Sequence, residues 1–340
     1  MTLGVSVVIC CHNSAQRLHQ TLAHLAVQQV AEECQWEVIV VDNASTDETP
    51  QVALNSWPVD ISVPLRVVYE SQLGLSYARY RGYLEAKYGL ISLIDDDNWV
   101  CPQWVQLVSE IMTQHPEIGA CGGLNEAMCE VTPPKWFKQY QGCYAVGTQG
   151  QEVSDITHTQ GSLWGAGLTI RKSAWRELLS KGFRSLLQDR QGVALTAGGD
   201  SELCTALRFA GWRLWYDSRL HLYHYLPAHR LQWSYLRRLC QGFGVASVGY
   251  DFYYYALQHN PKNLKEQIRQ TWEWQVFSVL RILLRHPWKL LLSFRCLLEG
   301  EPEVLDIEHS IGRLWELLRK RETFKLSSWQ IREAPWRRIA

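Results

Sequence analysis

The sequence predicts an α/β fold: a mostly parallel sheet flanked by helices, followed by a helical C-terminal region. Three observations carry this. Short apolar runs alternate with segments of helical apolar spacing through residues 5–95, the order expected of a parallel sheet whose crossovers cover both faces. Each run ends on polar residues, as strands do where such a sheet binds a ligand beyond their carboxyl ends. After residue 226 the segments "TWEWQVFSVLRILLRHPWKLLLSF" and "IGRLWELLRKRE" show amphipathic helical spacing with basic residues interspersed.

In order, "VSVVICCHN" reads as the first strand and "AQRLHQTLAHLAVQQ" as the helix that returns from it. "WEVIVVDNAS" is a second strand closed by a turn cluster, and "DETPQVALNSW" is helical in character. "LRVVYE" is strand-like, "LSYARYRGYLEAKYG" helical, and "LISLI" a fourth strand that runs into "DDDNWV" before the helix "PQWVQLVSEIM". The strand ends, His12 and Asn13, Asp42 and Asn43, and Asp95, Asp96, Asp97 and Asn98, are expected to converge on one crevice.

Composition bounds the function. The chain has 340 residues, 46% hydrophobic and 20% charged, enough for a sizeable core. Lys plus Arg and Asp plus Glu are 34 each, so no global field attracts nucleic acid, and any charge-based function is local. Ten cysteines, Cys296 the last, form no C-x-x-C pair and no zinc-ligand spacing, which reads as reduced thiols in a cytosol. The chain starts straight into a strand, so no cleaved secretory signal is expected. Arg281 and Arg285 interrupt the longest apolar stretch and argue against a spanning helix. The C-terminal helices then either dock on the preceding domain or lie on a membrane surface, which sets the expected location as cytoplasmic, at the inner face of the plasma membrane.

Three consecutive carboxylates behind a buried strand raise one another's pKa and call for a positive partner. One reading makes Asp96, Asp97 and Asn98 caps of the next helix, with Asp95 a turn residue. The other has them hold an oxygen-seeking divalent cation, Mn²⁺ or Mg²⁺, with a phosphate-bearing ligand. Asp42 either accepts hydrogen bonds from a nucleoside or starts an Asx turn. Neither a G-x-G-x-x-G nor a Walker A loop follows the first strand.

"VSVVICCHN", "VIVVDNASTDET", "QLGLSYARYRGY" and "LISLIDDDNWVCP", in this order, resemble the successive motifs of family 2 glycosyltransferases of the bacterial polysaccharide-biosynthesis type. Such enzymes have the GT-A fold and use nucleotide-activated sugars. The resemblance implies a GT-A domain over 1–225, its nucleotide-sugar part about 1–100 and its acceptor part about 101–225, with a helical region over 226–340. By the same resemblance His12, Asn13, Asp42, Asn43, Arg79, Asp95 and Asp96 contact the nucleotide sugar, with Arg81 a rival to Arg79. Asp97 is the most direct metal ligand of a D-x-D element, together with Asp95, and His224 sits where some GT-A enzymes carry a histidine close to the metal.

"LWGAGLTIRKSAW" resembles the strand and turn beneath the acceptor sugar, with Trp164 and Gly165 as contacts. "AGGDSELCTALRFAGW" resembles the segment that carries the catalytic base, with Gly199 where the family usually has Glu. Asp200 is then the base and Glu202 the second acid; a helix N-terminus at this place would lower the pKa of Asp200. Trp136, in the aromatic loop "PPKWFKQYQGCYAVGTQG", belongs either to an acceptor lid or to a satellite core.

The implied reaction is inverting transfer from a UDP-sugar to a hydroxyl of a glycan or lipid-linked acceptor in cell-surface or exopolysaccharide synthesis. Two rival readings are a non-catalytic nucleotide-sugar-binding or scaffold subunit, which the glycine at 199 encourages, and a nucleotidyltransferase, which needs a basic, Gly-rich triphosphate loop that is missing here.

Overall fold

The computed structural model describes residues 3–187, 189–190, 195–257, 264–285, 287–288 and 299–338; Cys296 lies outside them, and the other nine cysteines are free thiols. Strands β1 (Val5–Cys11), β2 (Trp36–Asn43), β3 (Leu65–Glu70) and β4 (Leu90–Asp95) form the parallel half of the sheet, in the order β3-β2-β1-β4. The crossovers are α1 (Leu18–Ala26), α2 (Thr49–Ser56) and α3 (Leu75–Glu85). Helix α1 shows why the pattern was readable: Leu18, Thr21, Leu22 and Leu25, one helical face, are its buried residues.

Register aligns the polar strand ends. Cys11 pairs with Asp42 and Cys10 with Asp95, so the acids of β2 and β4 flank the end of β1, where strand order reverses.

The second half of the sheet is mixed. It comprises β5 (Asn98–Val100), β6 (Ile118–Cys129), β7 (Val153–Asp155), β8 (Thr169–Arg171) and β9 (Arg213–Leu226). The order continues β4-β8-β6-β9-β5, with β7 added to β9. Between these strands lie α4 (Trp104–Gln114), the short α5 (Phe137–Tyr140), α6 (Lys172–Ser180) and α7 (Gly199–Phe209). The antiparallel pairing of β5 with β9 sets Asn98 opposite His224 and thereby brings the acidic cluster to that histidine.

Beyond Leu226 the chain is helical: α8 (Trp233–Leu257), α9 (Leu264–Arg269), α10 (Trp272–Arg285), α11 (Pro302–Arg319) and α12 (Phe324–Arg332). Helices α8 and α11 approach backbone to backbone at glycines. A Cβ at Gly244 would strike the carbonyl of His309, and one at Gly312 the carbonyl of Gln241. One apolar core runs from Val8 and Ile39 in the sheet through Leu203 to Phe252, Leu317 and Trp336, so α8, α11 and the C-terminal segment dock on the sheet domain. Among the described residues no helix is long and apolar enough to cross a membrane.

Candidate active site

A cleft of about 560 Å³ opens beyond the carboxyl ends of β1, β2 and β4. His12, Asn43, Arg79, Asp95, Asp96 and Asp97 line its strand side; Trp164, Gly165, Asp200 and His224 line the facing side. Helix α8 closes it with Tyr235, Phe243 and Tyr250, and His309 reaches in from α11.

The three acids are answered by arginines from distant segments. Asp96, almost fully buried, accepts from Arg17 at 2.7 Å and from the Ser14 hydroxyl. Asp97 accepts from Arg230 at 2.7 Å and from the Asn98 amide at 3.1 Å, and lies 3.5 Å from His224 Nε2. Burial opposes ionisation of Asp97, but the charge of Arg230 above all, with that of Arg17, outweighs it and holds its carboxyl below the usual range. Asp96 is shifted up, by burial and by Asp97. Asp95 is pushed up to about 6, by burial first and against the pull of Arg79. Burial also lowers the pKa of His224 and leaves a neutral imidazole there.

On the facing wall α7 opens with Asp200 in its first turn. One carboxylate oxygen accepts from the Gly165 amide at 2.6 Å, the other from the Ser201 amide at 2.7 Å. The side chain keeps a face toward the cavity while protein encloses it elsewhere. That desolvation, with the charge of Asp189, raises its pKa over the lowering by Arg79 and the two amides. The lowering expected from the helix N-terminus is thus overridden. Gly165 is required at its position, since a Cβ there would strike the guanidinium of Arg79 and come within 3.1 Å of Asp200 Oδ2. Arg79 is buried and donates to Asp189 at 3.0 Å, whereas Arg81 pairs with Glu85 on the surface of α3.

A cleft at a switch point, lined by the D-x-D acids and by Asp200, sits within a chain whose residues 6–179 match the family model for glycosyl transferase family 2. The chain belongs to that family. This glycosyltransferase is 22% identical over 249 residues to the glucosyl-dolichyl phosphate glucuronosyltransferase of Haloferax volcanii, with 71% of this chain and 76% of that one covered. Mannosyltransferase PcManGT from Pyrobaculum calidifontis, solved with GDP-Man and Mn²⁺, superposes at a TM-score of 0.56 and 15% identity over 95% of this chain and 89% of that one. Residues 1–349 of S. aureus TarS superpose at 0.50 and 14% identity over 94% and 92%. Both share the GT-A fold along nearly the whole glycosyltransferase chain.

Four expected contacts lie off the cleft wall of this glycosyltransferase. Asn13 has φ of 51° and ties the first strand end to the second: its Oδ1 accepts from the Thr46 amide at 2.8 Å, and its amide donates to Ser45 Oγ at 3.0 Å. Asp42 is buried beneath the same turn and accepts from the Ser45 amide at 3.2 Å, the Asx geometry. Glu202 is fully buried, and its oxygens accept from the amides of Leu186 and Leu187, from Ser185 Oγ and from Tyr253 Oη at 2.6 Å. With those bonds made it fastens the segment before Asp189, which is a structural task in place of the expected second acid of the site.

Trp136 is the fourth. Its ring packs edge-on against Trp233 at 5.3 Å, and its indole donates to Glu299 at 2.7 Å. It is buried in a satellite core with Phe137, Leu226 and Leu236 and does not line the cleft. Of that loop, the middle stretch from Gly142 to Ala145 lines the cleft.

Arg17, Arg230, Asp189 and Arg190 also line the cleft and were not singled out from the sequence. Their partners lie 79, 133 and 110 positions away for Arg17–Asp96, Arg230–Asp97 and Arg79–Asp189, so no spacing announces them. The one available signal was the demand for positive charge near three adjacent acids.

Proposed function

We propose that this glycosyltransferase moves a sugar, with inversion, from a nucleotide-sugar donor, by preference a UDP-sugar, to a hydroxyl of a glycan or lipid-linked acceptor in cell-surface or exopolysaccharide synthesis. The observation that carries the reading is Asp200, a carboxylate of raised pKa held by two backbone amides across one cavity from Asp97 and Arg230. His12, Asn43, Arg79, Asp95 and Asp96 border the donor half of this cavity, while Asn13 and Asp42 shape its nucleoside end through the turn they brace. Trp164 and Gly165 border the acceptor half.

In this mechanism Asp200 takes the proton of the acceptor hydroxyl as its oxygen bonds to the anomeric carbon. The bond from that carbon to the diphosphate breaks on the opposite face, which inverts the centre. Arg17, Arg79, Arg190 and Arg230 surround the place where the leaving group gathers charge. Asp97 and His224 suit a divalent cation, being an ionised carboxylate and a neutral imidazole 3.5 Å apart, with Asp95 beside them. Among the described residues no three His, Cys, Asp or Glu side chains form a ready-made shell, so diphosphate oxygens and water would complete it. A cation bound there neutralises charge on the departing diphosphate. The lipid-phosphate acceptor in the name of the Haloferax relative and the Mn²⁺ and GDP-Man of PcManGT support this assignment of ligands.

The test is turnover of a panel of UDP- and GDP-sugars with Mn²⁺. Asp200→Asn is expected to lower kcat by about 10²- to 10⁴-fold while UDP binding stays unchanged. Retained turnover removes Asp200 as the base. Nucleotide-sugar binding without turnover by the unaltered protein favours the non-catalytic subunit.

A further inference from the structure

Gly199 lacks a side chain at a place where the structure has already put a carboxylate. A Cβ built on Gly199 would lie 2.5 Å from Asp189 Oδ2 and 2.9 Å from its Cγ and Oδ1. The volume that a residue-199 side chain would enter is therefore filled by Asp189, which arrives from the segment before α7. The fit is specific. Asp189 Oδ1 accepts from the Gly199 amide at 2.8 Å, and Oδ2 takes the Arg79 guanidinium at 3.0 Å. Both partners of that ion pair are buried, the side chains 9% and 7% exposed. The backbone of Asp189 is held as well: its amide donates to Ser76 Oγ at 3.1 Å, and its carbonyl accepts from Thr196 Oγ1 at 3.0 Å. A buried arginine beside a carboxylate that is fastened at both ends has one permitted place. That place is against Gly165, whose amide in turn holds Asp200.

We propose that Asp189 is a positioning residue that supplies, from a neighbouring segment, the carboxylate that position 199 cannot, and that it fixes Arg79 against Gly165 and Asp200. The inference rests on the reading of this cleft as the transfer site but not on Asp200 being the base, because its logic is the exchange of one carboxylate between two chain positions. Asp189 touches no reacting atom in this account. Arg79, once fixed, presents its charge to Asp95 and Asp200 from a constant direction, and a drift of about 1 Å in such a group typically costs about 10² in rate.

The experiment is a double-mutant cycle on the full chain, with kcat and KM from nucleoside diphosphate released from the best donor of the UDP- and GDP-sugar panel, and melting temperature beside them. Asp189→Asn keeps the shape and an acceptor for the Gly199 amide but removes the charge. It is expected to lower kcat by about 10²-fold with KM little changed, and to lower the melting temperature because Arg79 is left as an unpaired buried charge. Asp189→Ala is expected to do the same. Gly199→Glu alone is expected to be impaired, because its side chain meets Asp189, whereas Asp189→Ala with Gly199→Glu recovers most of the lost kcat. A merely structural role gives no such reciprocal rescue. The proposal is overturned if Asp189→Asn turns over like the unaltered protein, or if the double variant is no better than Asp189→Ala alone. Loss of the Asp200 reading shows separately, as undiminished turnover of Asp200→Asn with the rescue intact.

Discussion

Arg230 and Asp97 show how much one ion pair is asked to do at the scale of single residues. Asp97 is 3% exposed, so without its paired guanidinium it would be a buried charge whose one remaining side-chain hydrogen bond is from Asn98. Arg230→Ala should cost about 3 kcal/mol of stability in urea unfolding at neutral pH. The sign with pH follows from the depressed carboxyl: its stabilising contribution is present above the unfolded value near 3.9 and is lost as pH falls through the folded one. The gap between unaltered protein and variant should therefore narrow on acidification, and a gap that widens refutes the assignment. The acids themselves were legible in the sequence, since three in a row behind an apolar strand defy their mutual repulsion. Their arginines were not, because the pairs join residues more than 75 positions apart. Asp42 and Glu202 show the converse, acids whose motif is visible but which accept from backbone amides, that of Ser45 at Asp42 Oδ1 and those of Leu186 and Leu187 at Glu202.

Elements were readable where one face alone decides them. Strands β1 to β4 and the helices between them follow from periodicity, since β1, β2 and β4 are buried on both faces, the edge strand β3 is partly buried, and α1 is buried on one face. The pairing of β6 with β9 was hidden: it joins segments about 95 positions apart, and its register slips at two places, near Ala120 and Leu124. The crossing of α8 with α11 was equally silent, because it depends on small residues and not on an apolar stripe. Gly312→Ala tests it. Helical propensity alone favours alanine by up to about 1 kcal/mol, but the added methyl has no room against the Gln241 carbonyl, and overpacking costs about 1–3 kcal/mol. A lowered melting temperature is expected; an unchanged or raised one would mean that the helices do not meet there.

At the scale of the whole molecule, α10 presents exposed apolar side chains among the described residues. Along α10, Phe277, Leu280 and Leu284 are 54%, 41% and 74% exposed, with Arg281 and Arg285 among them. Apolar side chains interleaved with cations suit the interface of an anionic bilayer, and flotation tests the membrane contact expected of the C-terminal helices. Flotation with phosphatidylglycerol vesicles should recover the protein, less so at high salt, and Phe277→Glu with Leu284→Glu should abolish recovery without changing turnover of a soluble acceptor. Equal recovery of the two proteins would remove α10 from the contact.

The family model matches residues 6–179, and Asp189, Asp200, His224, Arg230 and the roof made by α8 all come after that stretch. The walls of one cavity thus come from both sides of that boundary, so a change confined to either stretch is felt in the same space.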